Sequence, residues 1–302
     1  YTFPIEIEMV YDYTVEHYKV NSSGSFDLVD SDVYQDTEGT TVYASSNSYS
    51  GYVTVDTPQT VDSGVVLTDG SLTLELYYML SEVYLGGSGS DLNDGATDTT
   101  AVATFAAAKN MLAEDGVMFI VDTITISDEQ AWDLTGYSQA VIVRLQKPNA
   151  LINIASGGKL TLTNVTIDGA KDYLGSGSGT LINVADGGEL NLGLSSVLQN
   201  NDSTSNTDGG AINNSGTLNI LGGTITNNKS SLGGAVFNNP AGNIYMTDGN
   251  IDNNTANNGG GIYNLEGTID LTKGTITLNT ALSSSGGGGG IYTTTGELVL
   301  NG

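Results

Sequence analysis

Cysteine is absent from this 302-residue chain. Disulfides and thiolate metal sites are therefore excluded. Basic residues are almost as scarce, with Lys+Arg 8 against Asp+Glu 34 and a formal net charge of −26 at pH 7. Nucleic-acid binding needs a cationic footprint on the phosphates, so that class of function is excluded. Electrostatic docking on an anionic membrane fails for the same reason. No apolar run approaches the roughly 20 residues of a membrane span, which argues against direct membrane insertion. The acidity itself reads as solubility at a crowded surface. The first residues, "YTFPIEIEMVYDY", lack the charged start and apolar centre of a signal peptide. The chain begins without Met and stops at "GELVLNG", inside a repeat, so the expectation is a piece of a longer protein with targeting and anchoring signals elsewhere.

What is present falls into two grammars. Residues 1–85 are rich in Tyr, Val and Thr. "SLTLELYYML" alternates, with Leu72, Leu74, Leu76, Tyr78 and Leu80 on one face and Ser71, Thr73, Glu75 and Tyr77 on the other. That is a half-buried strand. "YDYTVEHYKV" and "GTTVYASS" also read as strands, separated by turn signals at "NSSGS", "DTEG" and "TDGS". A small antiparallel β-rich module is expected. Residues 86–98, "GGSGSDLNDGATD", read as a Gly/Ser/Asp link. "TTAVATFAAAKNMLAEDG" then predicts a helix over about 100–115, capped by Thr99 or Thr100 and stopped at Gly116. Val102, Phe105 and Leu112 would share its apolar side.

From residue 117 the chain becomes short β-runs with a long period. Ile152, Ile182, Ile212, Val236, Ile262 and Ile291 align at spacings of 30, 30, 24, 26 and 29 residues. A second strand follows each: "KLTL", "ELNL", "TLNI", "NIYM", "TIDL", "ELVL". A third follows most of them: "NVTIDG", "SVLQNN", "GTITNN", "GNIDNN", "GTITLN". Three strands per period match one rung of a parallel β-helix. Equivalent residues would then stack about 4.8 Å apart, which disfavours lone buried charges. Asn214, Asn238 and Asn264 share one place in successive rungs, and Asn201, Asn228, Asn254 and Asn279 share another. Both sets are expected to form amide ladders that satisfy turn backbone. Gly209-Gly210, Gly233-Gly234 and Gly259-Gly260 mark corners needing positive φ.

Three resemblances follow from these residues. "YTVEHYKVNSSGSFDLVD", "YSGYVTVD" and "DGSLTLELYY", over roughly residues 8–80, resemble the mucin-binding-protein type repeats of Gram-positive surface adhesins. "GGA[I/V]" followed by an apolar-x-x-Asn phrase, over about 198–302, resembles the polymorphic outer-membrane-protein repeats of bacterial adhesins and autotransporters. Here the phrase starts with Ile or Leu where that family usually has Phe. "GSGSDLNDGATDTTAVATFAAAKNML" is similar to the opening segment of pectate-lyase-like β-helix proteins. The resemblances imply an all-β chain: an antiparallel module, then a right-handed parallel β-helix over 99–302 with an N-terminal capping helix and a truncated C-terminal end. They imply a bacterial cell-surface context, extracellular and wall-anchored or secreted.

Chemistry is sparse. Lyases of the β-helix fold usually need a basic residue, often with calcium, as the family resemblance implies. The single arginine, Arg144, has Lys147 nearby and reads as a solvated or rung-end residue. The single histidine, His17, lies on a strand beside Tyr13 and Val15 and reads as structural. Glycosidase chemistry needs two carboxylates facing one groove. Asp168 with Asp172, Asp186 with Glu189, and Asp202 with Asp208 are candidates, all at turns, and the single Trp132 lies well upstream. Asp91, Asn93 and Asp94 in "DLNDG" offer oxygen ligands for calcium, as in the first part of a calcium loop, or a plain Asx-rich turn. No other cofactor is expected. The expectation is an adhesin segment whose partners are host or environmental glycans, mucin or surface proteins. A pectate-lyase-like carbohydrate-active enzyme, lyase or glycosidase, is the alternative, and a mechanical stalk a third reading.

Overall fold

The computed structural model describes residues 8–137, 141–146, 149–204, 209–284 and 287–301. Seven strands and one helix build its N-terminal part. They are β1 (Val10–Val20), β2 (Phe26–Thr37), β3 (Thr41–Tyr43), β4 (Tyr52–Val55), β5 (Ser63–Val65), β6 (Thr73–Leu85), α1 (Phe105–Met111) and β7 (Leu112–Ile120). The β1–β2, β3–β5 and β4–β6 pairs are antiparallel. The pair at the centre, β1–β6, is parallel. The alternation of β6 has its expected effect: Leu74, Leu76 and Tyr78 face a small core with Val15, Val42 and Val66. Tyr77, on the opposite face, is buried as well because Tyr18 stacks on it and Phe26 meets its edge.

Thirteen residues long, β6 serves two cores. Its first half closes the small module. Leu80, Val83 and Leu85 lie in the larger core with Met118, Ile120 and Ile142. Beyond Ser81 it runs parallel to β7, Glu82 opposite Val117 through Leu85 opposite Ile120. Val117–Ile120 in turn pairs with Val141–Arg144, the next rung. The Gly/Ser/Asp segment leaves from Leu85 and returns, with Val102 N donating to Tyr84 O (2.9 Å) and Gly86 N to Val102 O (3.0 Å). The module and the solenoid are thus parts of one sheet.

The helix is shorter than the sequence suggests. Its N-cap is Thr104, whose hydroxyl accepts from Ala107 N, and it ends at Met111. Asp98–Thr100 forms a 3-10 turn instead. The residues from Leu112 onward pair with β6 and so extend as β7 before Gly116 can stop anything. The helix does cap the coil. Phe105 lies flat on Trp132, ring centroids 4.9 Å apart and 6° between planes. Lys109 Nζ donates to Asp133 O (2.5 Å), and Tyr137 Oη donates to Lys109 O (2.9 Å).

Rungs then stack in parallel. On the first side, Ile124–Ile126, Ile152–Ile154, Ile182–Val184, Ile212–Asn214, Val236–Asn238, Ile262–Asn264 and Ile291–Thr293 lie side by side, seven strands among the described residues. The second-side strands pair in the expected register, Leu160 with Leu190, Leu218, Ile244, Ile269 and Leu298 in turn. On the third side Ile142, Ile167, Leu198, Ile225, Ile251 and Ile276 form the inward column. In two rungs the second and third sides fuse into single strands, Thr217–Thr226 and Asn243–Asp252, with the register slipping at Leu221. Nearly all these inward Ile, Leu and Val side chains are fully buried, each contributing about 1.5–3 kcal/mol.

Candidate functional site

The two Asn sets form ladders inside the coil. Asn214 Nδ2 donates to Asn238 Oδ1 (2.7 Å), and Asn238 Nδ2 to Asn264 Oδ1 (2.8 Å). Asn238 and Asn264 also donate to Gly242 O and Gly267 O (3.0 and 2.8 Å). At the other corner, the backbone N of Asn201, Asn228 and Asn254 donates to the side-chain Oδ1 of Asn228, Asn254 and Asn279 (3.1, 2.9 and 3.0 Å). The residues just before these, Asn200, Asn227, Asn253 and Leu278, have positive φ of 53–56°. The first Asn of each pair thus turns the corner in the left-handed region and the second bonds the next rung. Gly233 and Gly259 have φ of 62° and 63°.

Other sequence candidates are likewise absorbed by the scaffold. Arg144 does end its strand, Val141–Arg144, but it is not solvated: it is 1% exposed. Its guanidinium donates to the carbonyls of Asn149 (2.8 Å), Gly179 (2.9 Å) and Thr180 (2.7 Å), tying one rung to the loop before another. Burial pulls it down to about 10. Lys147 lies outside the described residues. His17 is fully buried, Nδ1 2.9 Å from Tyr78 Oη. Its Nε2 is 3.3 Å from Asp32 Oδ2, an ion-pair distance out of line for a hydrogen bond. Asp91 accepts from Ala103 N, Thr104 N and the Thr104 hydroxyl at 2.8, 2.9 and 2.8 Å, locking the start of α1. Asn93 donates to Ala101 O (2.9 Å), and Asp94 accepts from Ala96 N (3.1 Å). These contacts engage the three would-be calcium ligands in turn backbone. Among the described residues no group of three or more His, Asp or Glu converges as a metal site.

The carboxylate pairs are also engaged. Asp168 accepts from Ala170 N, Gln199 Nε2 and Asn200 Nδ2 at 2.7, 2.9 and 2.7 Å. Glu189 lies 3.6 Å from Lys159 Nζ, which also meets Glu129 at 3.3 Å. Asp202 accepts from Thr204 N (3.1 Å) and its hydroxyl (2.6 Å) and stands 3.8 Å from Lys229 Nζ. Asp172 is exposed in the four-residue helix Lys171–Leu174, and Asp186 is exposed at a turn. Asp208 lies outside the described residues.

Among the described residues, two features stand apart from these engaged groups. The first is a groove of about 740 Å³ where the module joins the coil. Its walls include Val53, Thr54, Met79, Leu112 and Tyr137, and its rim carries the exposed Asp56, Glu114 and Asp115. The second is the outward column of the first side, which reads Asn153, Asn183, Asn213, Phe237, Tyr263, Tyr292, with Phe237 buried and the others half-buried. Asn213 Nδ2 donates to Asn183 Oδ1 (2.9 Å). The rings of Phe237, Tyr263 and Tyr292 stack with centroids 5.3 and 5.2 Å apart. Burial, with Tyr292 adjacent, raises the Tyr263 phenol above its ordinary range. The middle letters of "VFN", "IYN" and "IYT" signalled this column. A search for a lone tryptophan platform passes over it. No protein-family model, no curated protein and no solved structure matches the chain.

Proposed function

We propose that the chain is a segment of a bacterial cell-surface adhesin, extracellular, in which a small β-rich module of mucin-binding type is displayed on a stiff β-solenoid. The observation that carries the reading is β6. One strand closes the module's core and forms the first rung of the coil, so a contact made by the module is held at a fixed attitude on a long support. The outward columns add to it. Each presents like side chains once per rung, amides over Asn153, Asn183 and Asn213 and rings over Tyr263 and Tyr292, which continue the stack from the buried Phe237. Repetition of weak, equivalent contacts suits glycans and glycoproteins, since linked contacts gain avidity without any single strong one.

The test is capture of the intact chain on immobilised mucin and on a glycan array, with assays for released reducing or unsaturated sugar run alongside. Binding without release is the expected result. Failure to bind any glycan or host surface protein would remove the proposal. The junction groove favours a second reading, a carbohydrate-active enzyme, because Asp56 and Glu114 both belong to it and two carboxylates at one cleft are the minimum for glycoside hydrolysis. Sugar release lost in both Asp56→Asn and Glu114→Gln would establish that reading instead.

A further inference from the structure

The junction groove has an open strand edge in its wall. Along one edge of β6, β1 pairs with Thr73–Tyr78. Along the other, β4 and β7 follow one another, β4 beside Tyr77–Leu80 and β7 from Leu80 to Leu85. β7 has a further neighbour, Val141–Arg144. Among the described residues β4 has none. The phase of its ladder is fixed by Ser81 N, which donates to Gly51 O (3.0 Å). Hydrogen bonds in an antiparallel pair alternate, so Val53 and Val55 bond Met79 and Tyr77. The N–H and C=O of Thr54, between them, point away from β6 into the groove. Val53 and Thr54 are exposed. Val53 and Val55 share a face with Met79, which offers an apolar strip to alternate side chains of an incoming strand. Asp56 and Glu114 on the rim place negative charge beside that strip, on a chain whose net charge is −26.

We infer that this groove takes up an extended, cationic segment of a partner protein, which adds to the sheet as a strand beside β4. Main-chain bonds to Thr54 would hold it, apolar residues would lie against Val53, Val55 and Met79, and alternate lysines or arginines would face Asp56 and Glu114. The inference does not depend on glycan binding elsewhere on the molecule.

The probe is a short fluorescent peptide of alternating lysine and valine, titrated into the intact chain and followed by anisotropy. It is expected to bind, to weaken several-fold when salt is raised from roughly 0.05 to 0.5 M, and to outbind the glutamate–valine counterpart. Thr54→Pro removes one outward donor and leaves the ladder to β6 in place, since an edge position tolerates proline. It should weaken the peptide at least about tenfold, while Thr54→Val does not. A peptide N-methylated at alternate positions gives the same test on the unaltered protein and should not bind. No binding of the lysine–valine peptide, equal binding of the N-methylated one, or equal binding of the acidic one would each overturn the inference. Loss of mucin capture in Thr54→Pro, with no peptide binding by the parent chain, would make the groove a sugar site and overturn it too.

Discussion

The corner residue before each ladder asparagine shows how local conformation selects side chains here. Asn200, Asn227 and Asn253 adopt the left-handed region that asparagine tolerates, and Leu278 is held in the same conformation at φ 55° while 76% exposed. A leucine there carries a steric cost of about 1–2 kcal/mol without burial to offset it. Leu278→Asn should therefore stabilise the fold by about 0.5–1 kcal/mol, read from the urea midpoint with an unchanged slope. A second residue-scale effect concerns Tyr18 and Tyr77, which stack on each other and donate to Glu16 and Glu75. The Glu16 hydrogen bond, then burial, raises the Tyr18 phenol to about 12, and burial followed by the Glu75 bond raises Tyr77 as well. The folded state thus keeps protons that the unfolded chain gives up near pH 10. Stability from these contacts is complete below pH 10 and falls as pH rises toward 12. Tyrosinate absorbance should show a late-ionising class, and Glu16→Gln should bring Tyr18 back toward ordinary tyrosine. A titration in which the variant and parent ionise alike would refute the assignment.

At the scale of the element, the first ladder has a defined top. Asn214 stacks under Val184, which offers no donor, so Asn214 Oδ1 is buried without a partner. Asn238 sits in the middle, accepting from Asn214 and donating to Asn264 and Gly242. Asn238→Ala strands polar atoms on both sides and should cost about 2–4 kcal/mol, whereas Asn214→Ala, losing its link to Asn238 and a longer one to Asn243 O, should cost about half as much. Equal losses in chemical denaturation would mean that the ladder does not act through its hydrogen bonds. Much of this was legible in advance, because a rung repeats its own environment. The first-side alignment from Ile152 to Ile291, the second-side strands and both Asn sets pair as their spacing implies. Where an element's fate depends on a distant neighbour, the sequence was silent or misleading. Residues after Met111 have helical composition, yet β6 offers an edge and they extend along it. The second ladder stops at Asn201 because the register places Gly169 and Ala170 beside Asn200 and Asn201, with no side-chain amide to continue it, and Ala170 N donates to Asp168 instead. Arg144 reads as solvated or rung-end, and its burial is not legible because nothing local reveals the carbonyls of Gly179 and Thr180, a full rung away.

For the whole molecule the decisive fact is that the Gly/Ser/Asp segment is not the sole tie between module and coil. Composition marks 86–98 as a link between two bodies, and a flexible tether is the ordinary meaning of such a stretch. Here the load passes through β6, and the segment loops out and is stitched back, Tyr84 to Val102, Tyr84 to Gly95 and Ser22 to Asp91. The groove beside β4 exists for the same reason, since two strands share one edge of β6 and only the second is covered. If β6 carries the junction, the module cannot swing. The absence of native cysteine makes this directly measurable with nitroxide labels at two introduced cysteines, one replacing the exposed Tyr43 in the module and one the exposed Tyr173 on the coil. A single narrow distance distribution is expected, unchanged when Ser88 and Ser90 are replaced by Gly to loosen the segment. Interrupting β6 with Val83→Pro should broaden it, because Val121 N donating to Leu85 O sets a phase in which Val83 N–H faces β7, and proline withdraws that ladder donor. A broad distribution in the parent chain would show that the module and coil move independently, and a binding contact on the module would then have no fixed attitude.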